Sequence, residues 1–107
     1  MTDAAMFGAL GDETRRRVID LLSERARPVH ELAETFAISR PAVSRHLRVL
    51  LDAGLVTEER RGRENVYSLE RKQLMLMSKW LEKYWATRMA RLKQTPESTK
   101  PQMEFEL

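Results

Sequence analysis

The chain has 107 residues, a formal net charge of +3 and no cysteine. It therefore holds one domain with at most a short tail, and disulfides, thiol redox chemistry and cysteine metal sites are excluded. A content of 42% apolar and 33% charged residues suits a globular protein. No run approaches the roughly 18 consecutive apolar residues of a membrane span. Met1 to Met6 lacks the basic-then-apolar order of a secretory signal, so the expected compartment is the cytoplasm. A core of this size is modest, and a second copy of the chain would add to it.

The mild net charge says little until its position is read. Between Ile38 and Arg63 lie six arginines (Arg40, Arg45, Arg48, Arg60, Arg61, Arg63) against three carboxylates (Asp52, Glu58, Glu59).

A short first helix is predicted over Asp3 to Leu10, interrupted by Gly11. Asp12 is a good N-cap for a second helix, Glu13 to Ser23, with Val18, Ile19, Leu21 and Leu22 at helical spacing. Its arginines, Arg15, Arg16 and Arg17, sit at the unfavourable end of the helix dipole. They read as a solvated face or as ion pairs with Asp12, Glu13 and Asp20.

Pro28 suits the first turn of a third helix reaching Phe36, with Val29, Leu32, Ala33 and Phe36 turned inward. After the tight connection Ala37-Ile38-Ser39, Ser39 can cap a fourth helix with Pro41 in its first turn. That helix runs to about Ala53, where Gly54 ends it. Two such helices joined by a short turn make a helix-turn-helix. Leu55 to Arg61 and Glu64 to Leu69 then read as two strands joined at Arg61-Gly62-Arg63, a β-hairpin placed as a wing. A long helix follows from Arg71 to Lys93. Gln94 to Leu107, with Pro96 and Pro101 among polar residues, reads as a disordered tail. The expected division is thus a domain over 1–93 and a tail over 94–107.

On a helical wheel, Val43, Leu47, Leu50 and Leu51 of the fourth helix share one arc, and Pro41, Arg45, Arg48 and Asp52 occupy the opposite one beside Ser44. Arg40 stands at the N-terminal tip and His46 at the edge of the apolar arc, from where it could reach a phosphate. Such a face suits a DNA major groove. Arginine donates two bonds to guanine, serine reads donor or acceptor edges, and a helix N-terminus favours a phosphate. Any one arginine could simply be solvated, but the ordered set of turn, cap, polar face, stop and hairpin points to DNA.

These residues resemble a known family. Leu32-Ala33-Glu34, then Ile38-Ser39-Arg40-Pro41-Ala42-Val43-Ser44-Arg45-His46-Leu47-Arg48-Val49-Leu50, then Ala53-Gly54-Leu55-Val56, look like the ArsR/SmtB-type winged-helix repressors. Leu10-Gly11-Asp12-Glu13-Thr14-Arg15-Arg16 fits that family's opening segment, and Gly62-Arg63 with Val66-Tyr67-Ser68-Leu69 fits its wing. The resemblance spans about residues 3 to 92. It implies a homodimer that binds a palindromic double-stranded operator and blocks transcription. Positions matching Arg40, Pro41, Ser44 and Arg45 would enter the major groove, while the wing approaches the backbone or minor groove. The expected DNA-binding set is therefore Ser39, Arg40, Pro41, Ser44, Arg45, His46 and Arg48, with Arg60, Arg61 and Arg63 on the wing. The expected fold is mainly α with a small β-hairpin: a winged helix-turn-helix of about five helices and a two-stranded wing, dimeric through its first and last helices.

The family's metal sensors carry a cysteine box where this chain reads Pro28-Val29-His30-Glu31-Leu32-Ala33. A second family site, on the last helix, uses Asp, His and Glu ligands, but no histidine lies between Glu70 and Thr87. A transition-metal site needs several converging ligands. Neither a metal nor a cofactor is expected, and His30 beside Glu31 and Glu34 reads as a solvated histidine.

On the last helix, Leu74, Met77, Leu81, Tyr84, Trp85 and Leu92 form one stripe, bordered by Met89 and Trp80 and interrupted by Arg88. Met75 and Leu76 widen it. The plain reading packs all of this on the chain's own core. The preferred one is a two-fold interface, completed by Met6 and Phe7 of the first helix. The aromatic order also resembles a branch of the family without the metal box. A small-molecule effector is compatible with that branch, though nothing in the sequence identifies one.

Two other functional classes fit the sequence less well. A winged-helix module using the same face for a protein partner would favour aspartate or leucine where these arginines stand. An enzyme would need a nucleophile, a phosphate loop or a spaced carboxylate pair, none of which is recognisable. A transcription regulator acting on the nucleoid is the expected function.

Overall fold

In the computed structural model, which describes residues 3–94, Asp12 begins the first long helix as the spacing predicts. Its backbone is extended, and its carboxylate accepts from the Arg15 amide at 3.1 Å. The elements are α1 (Asp3–Ala9), α2 (Glu13–Glu24), β1 (Arg27–Pro28), α3 (Val29–Phe36), α4 (Arg40–Asp52), β2 (Val56–Arg61), β3 (Glu64–Leu69) and α5 (Arg71–Gln94). Helix ends lie within a residue or so of those read from sequence. The expected tail falls almost wholly outside the described residues.

The wing is larger than the expected two-stranded hairpin. The sheet has three antiparallel strands in the order β1-β3-β2. Arg27 and Pro28 pair with Tyr67 and Val66 before α3 starts, so Pro28 precedes α3 instead of occupying its first turn. Proline at the end of a short edge strand costs no ladder bond that the sheet needs.

The chain forms two compact units, residues 1–75 and a second beginning at Leu76, the boundary falling inside α5. In the first, Met6, Ala9, Val18, Leu22, Leu32, Val43, Leu47, Leu50, Leu55 and Val56 are buried. The apolar stripes of α1 to α4 thus close on the base of the wing. Val29 and Phe36, expected inward, are only half-buried. The guanidinium of Arg17 lies over the Phe36 ring, 5.0 Å from its centroid.

Arg27 is the one buried charged residue among those described, at 7% exposure. Its Nε donates to the Leu21 carbonyl at 3.0 Å, and its terminal nitrogens donate to Glu31 and Glu24, each at 2.8 Å. Burying a charge is tolerable because every direction of the fork finds an acceptor. One side chain thereby ties the end of α2 to β1 and α3.

Arg15 and Arg16 correct the sequence reading. Instead of pairing with carboxylates, Arg15 donates through Nε to the Ala9 carbonyl at 2.6 Å, and Arg16 donates to the Leu10 carbonyl at 2.8 Å. These carbonyls close α1, where cations answer unpaired acceptors and the negative end of the helix dipole.

Candidate nucleic-acid interface

Helix α4 is fixed at both ends. The Ser39 hydroxyl accepts from the Ala42 amide at 3.2 Å, and Pro41 sits in the first turn. At the other end the Gly54 amide donates to Leu51 and the Leu55 amide to Leu50, at 2.9 and 3.0 Å, with Gly54 at φ 77°. This paired closure requires a left-handed residue, which explains the glycine. The turn before α4 meets the same need with Ala37, at φ 55°, ψ 39°.

Between these stops Val43, Leu47 and Leu50 are buried, while Ser39, Arg40, Pro41, Ser44, Arg45 and Arg48 are exposed. The predicted polar face is therefore the solvent face of α4. Among the described residues, Arg40, Arg45 and Arg63 make no hydrogen bond or ion pair through their guanidinium groups. Arg48 is 3.5 Å from Asp52, one turn along the helix. Arg61 pairs with Glu59 at 3.0 Å, and Arg60 donates to the Gly62 carbonyl at 3.0 Å.

The wing tip is a two-residue loop, since Arg61 pairs directly with Glu64. Gly62 holds its first position at φ 63°, a conformation that type II′ hairpins demand and glycine supplies. Between the wing and the helix pair lies a cleft of about 280 Å³, lined by His30, Arg40, Ser44, Arg63, Asn65 and Tyr67 among others. It brings Arg40 and Ser44 of α4 together with Arg63 of the wing. The sequence reading missed Asn65 and gave His30 no part here; His30 Nδ1 lies 3.9 Å from Glu64. On the sheet, Tyr67 donates to Glu58 at 3.2 Å. Burial, followed by the Glu58 charge, pushes its phenol above the ordinary value.

His46 turns elsewhere. Its Nδ1 lies 3.3 Å from a terminal nitrogen of Arg15 and 3.8 Å from the Asp12 carboxylate. Sequence spacing could not show this contact across 31 residues. Among the described residues no three His, Cys, Asp or Glu side chains gather as a metal-binding group.

In α5, Trp80, Leu81, Trp85, Met89 and Leu92 are exposed, as are Met75 and Leu76. Tyr84 stacks on Trp80 with centroids 5.2 Å apart and meets Trp85 edge-on at 5.4 Å. Arg88, which broke the predicted stripe, lies over the Tyr84 ring at 3.5 Å. Of the residues expected at a dimer interface, Met6 and Met77 are buried within the single chain, and Phe7 is exposed.

Residues 12–58 match the model of the arsR family of bacterial regulatory proteins. The HTH-type transcriptional regulator YuzN of Bacillus subtilis is 42% identical over 86 residues, covering 73% of this chain and 94% of that protein. The chain belongs to the ArsR family. The transcriptional repressor SdpR of B. subtilis is 36% identical over 76 residues, covering 71% of this chain and 84% of SdpR. The homodimeric winged helix-turn-helix DNA-binding domain of Mycobacterium bovis Mb0332 superposes with a TM-score of 0.65 at 25% identity, covering 81% of this chain and 80% of that one. The ArsR model matched here runs from the cap of α2 into β2, so it contains the whole of α4. This ArsR-family chain is a DNA-binding transcriptional regulator with a winged helix-turn-helix fold. No helix among the described residues is long and apolar enough to cross a membrane.

Proposed function

We propose that this ArsR-family protein is a homodimeric repressor that reads an inverted-repeat operator with α4 and grips the backbone with its wing. The observation that carries the reading is the set of unpaired guanidiniums at Arg40, Arg45 and Arg63. In this reading Ser44 and Arg45 address base edges, with Arg48 available once it exchanges Asp52 for DNA. Ser39, Arg40 and Pro41 present the positive end of α4 to a phosphate. Arg60, Arg61 and Arg63 add phosphate contacts from the wing.

The second copy docks on the exposed face of α5, through Trp80, Leu81, Tyr84, Trp85, Met89 and Leu92, while Phe7 is the exposed apolar residue that α1 offers. Aromatic and methionine side chains suit an interface core, and the homodimeric state of the Mb0332 domain supports the pairing. Two copies of α4 about 34–36 Å apart would address successive major grooves. A regulator of this kind acts in the cytoplasm, where the chromosome lies.

The test is an electrophoretic shift with the protein's own promoter fragment against an unrelated duplex of equal length. A selective complex whose affinity falls steeply with salt is expected. Equal binding to both duplexes at low salt would overturn the reading.

A further inference from the structure

Arg15 belongs to α2, not to α4 or the wing, and it is only half exposed. Its guanidinium nevertheless reaches three places. Nε donates to the Ala9 carbonyl at 2.6 Å, one terminal nitrogen reaches the Gly8 carbonyl at 3.5 Å, and the other lies 3.3 Å from Nδ1 of His46 in α4. Its backbone amide is also taken, by Asp12.

The chemistry fixes the direction of the histidine contact. Arginine stays charged and only donates, so in this contact Nδ1 is the acceptor and in the neutral ring the proton sits on Nε2; the Asp12 carboxylate, 3.8 Å from Nδ1, lies beyond hydrogen-bond reach. One planar fork therefore joins the C-terminal carbonyls of α1 to the middle of the helix that carries Ser44 and Arg45. Lysine could not duplicate it, since an ammonium group lacks the fixed splay of the guanidinium.

We propose that Arg15 is a positioning residue for DNA reading: through His46 it sets the roll of α4 against α1, and it does not itself touch DNA. This rests on the DNA-binding reading above. Side chains that read base edges must be aimed closely, whereas phosphate attraction tolerates small misplacement. Loss of the clamp should therefore cost selectivity and leave nonspecific attraction in place.

The experiment measures binding of the full chain to a duplex enriched from random sequence by the wild-type protein, and to an unrelated duplex, across a salt series. The variants are Arg15→Gln, His46→Leu and the double variant. Each single variant should weaken the selected duplex about tenfold and leave both the unrelated duplex and the salt slope unchanged. The double variant should be no weaker than either single one, because both remove the same contact. A salt slope smaller by about one for Arg15→Gln would make Arg15 a phosphate contact and overturn the proposal. Losses that multiply to about a hundredfold would overturn it as well.

Nitrogen-15 shifts of the His46 ring in the wild-type protein at pH 8 need no variant. A bare Nδ1 is expected, and a protonated Nδ1 overturns the clamp. If the wild-type protein selects no sequence at all, this proposal falls together with the function it rests on. Selective wild-type binding with multiplying losses removes the clamp alone.

Discussion

Replacing Ala37 by glycine changes one backbone preference and little else. Among the described residues Ala37 is the only non-glycine with positive φ, at 55°, and its methyl group is exposed. An L-residue held there pays about 1–2 kcal/mol that glycine does not. Glycine in turn loosens the unfolded chain, which costs about 0.4–1 kcal/mol. No buried surface changes, so the difference should appear as a net gain of about 0.5–1 kcal/mol. For a domain of this size that is a rise of about 2–6 °C in Tm. Urea unfolding at pH 7 should show a higher midpoint with an unchanged m-value. Ala37→Val should move the midpoint down, because a β-branched side chain tolerates the left-handed region worse than alanine. A lower midpoint for Ala37→Gly would refute the reasoning, since the turn between α3 and α4 would then be unstrained by its alanine.

Arg45→Ala should cost about 1–3 kcal/mol of binding to the selected duplex and relax the choice at one base pair, as competition with base-substituted duplexes would reveal. Asp52→Asn frees Arg48 and removes a negative charge near the DNA. It should raise affinity about two- to fivefold for all sequences at low salt, an effect that fades in a salt titration followed by fluorescence anisotropy. Leu47→Ala, at a position with 0% exposure, should lower stability by about 2–5 kcal/mol in urea unfolding. Acid should also weaken the fold. The Arg15 amide holds the Asp12 carboxyl below its ordinary value, and the Arg25 guanidinium does the same for Glu31. Their stabilisation is complete above the ordinary carboxylate range and is lost as the pH falls through about 4 and below. Asp12→Asn should flatten that decline in thermal melts taken from pH 6 to pH 3.

The boundaries of α4 were legible because each is a local chemical event: a serine that caps, a proline that fits a first turn, a glycine that can turn left-handed. The wing tip was legible for the same reason at Gly62. β1 was hidden because two residues show no alternation, and Pro28 reads equally well as a helix opening. Arg27 was overlooked, although Glu24 and Glu31 stand three residues before and four after it, a spacing that can surround a guanidinium. The targets of Arg15 and Arg16 could not be read at all, because backbone carbonyls leave no mark in a sequence. His46 was placed correctly at the edge of the buried arc, but its partner lies on another helix.

The strand order of the sheet also constrains how copies of this chain can meet. Its two edges belong to β1 and β2. β1 is two residues long and ends in a proline that offers no N–H. β2 carries Glu58, Glu59, Arg60 and Arg61 along an exposed strand, and charged side chains discourage the addition of another strand. Neither of these two strands therefore favours the addition of another strand. In the proposed dimer, the wing would lie against DNA without recruiting the wing of a neighbour, and assembly of the two chains would be left to their helices.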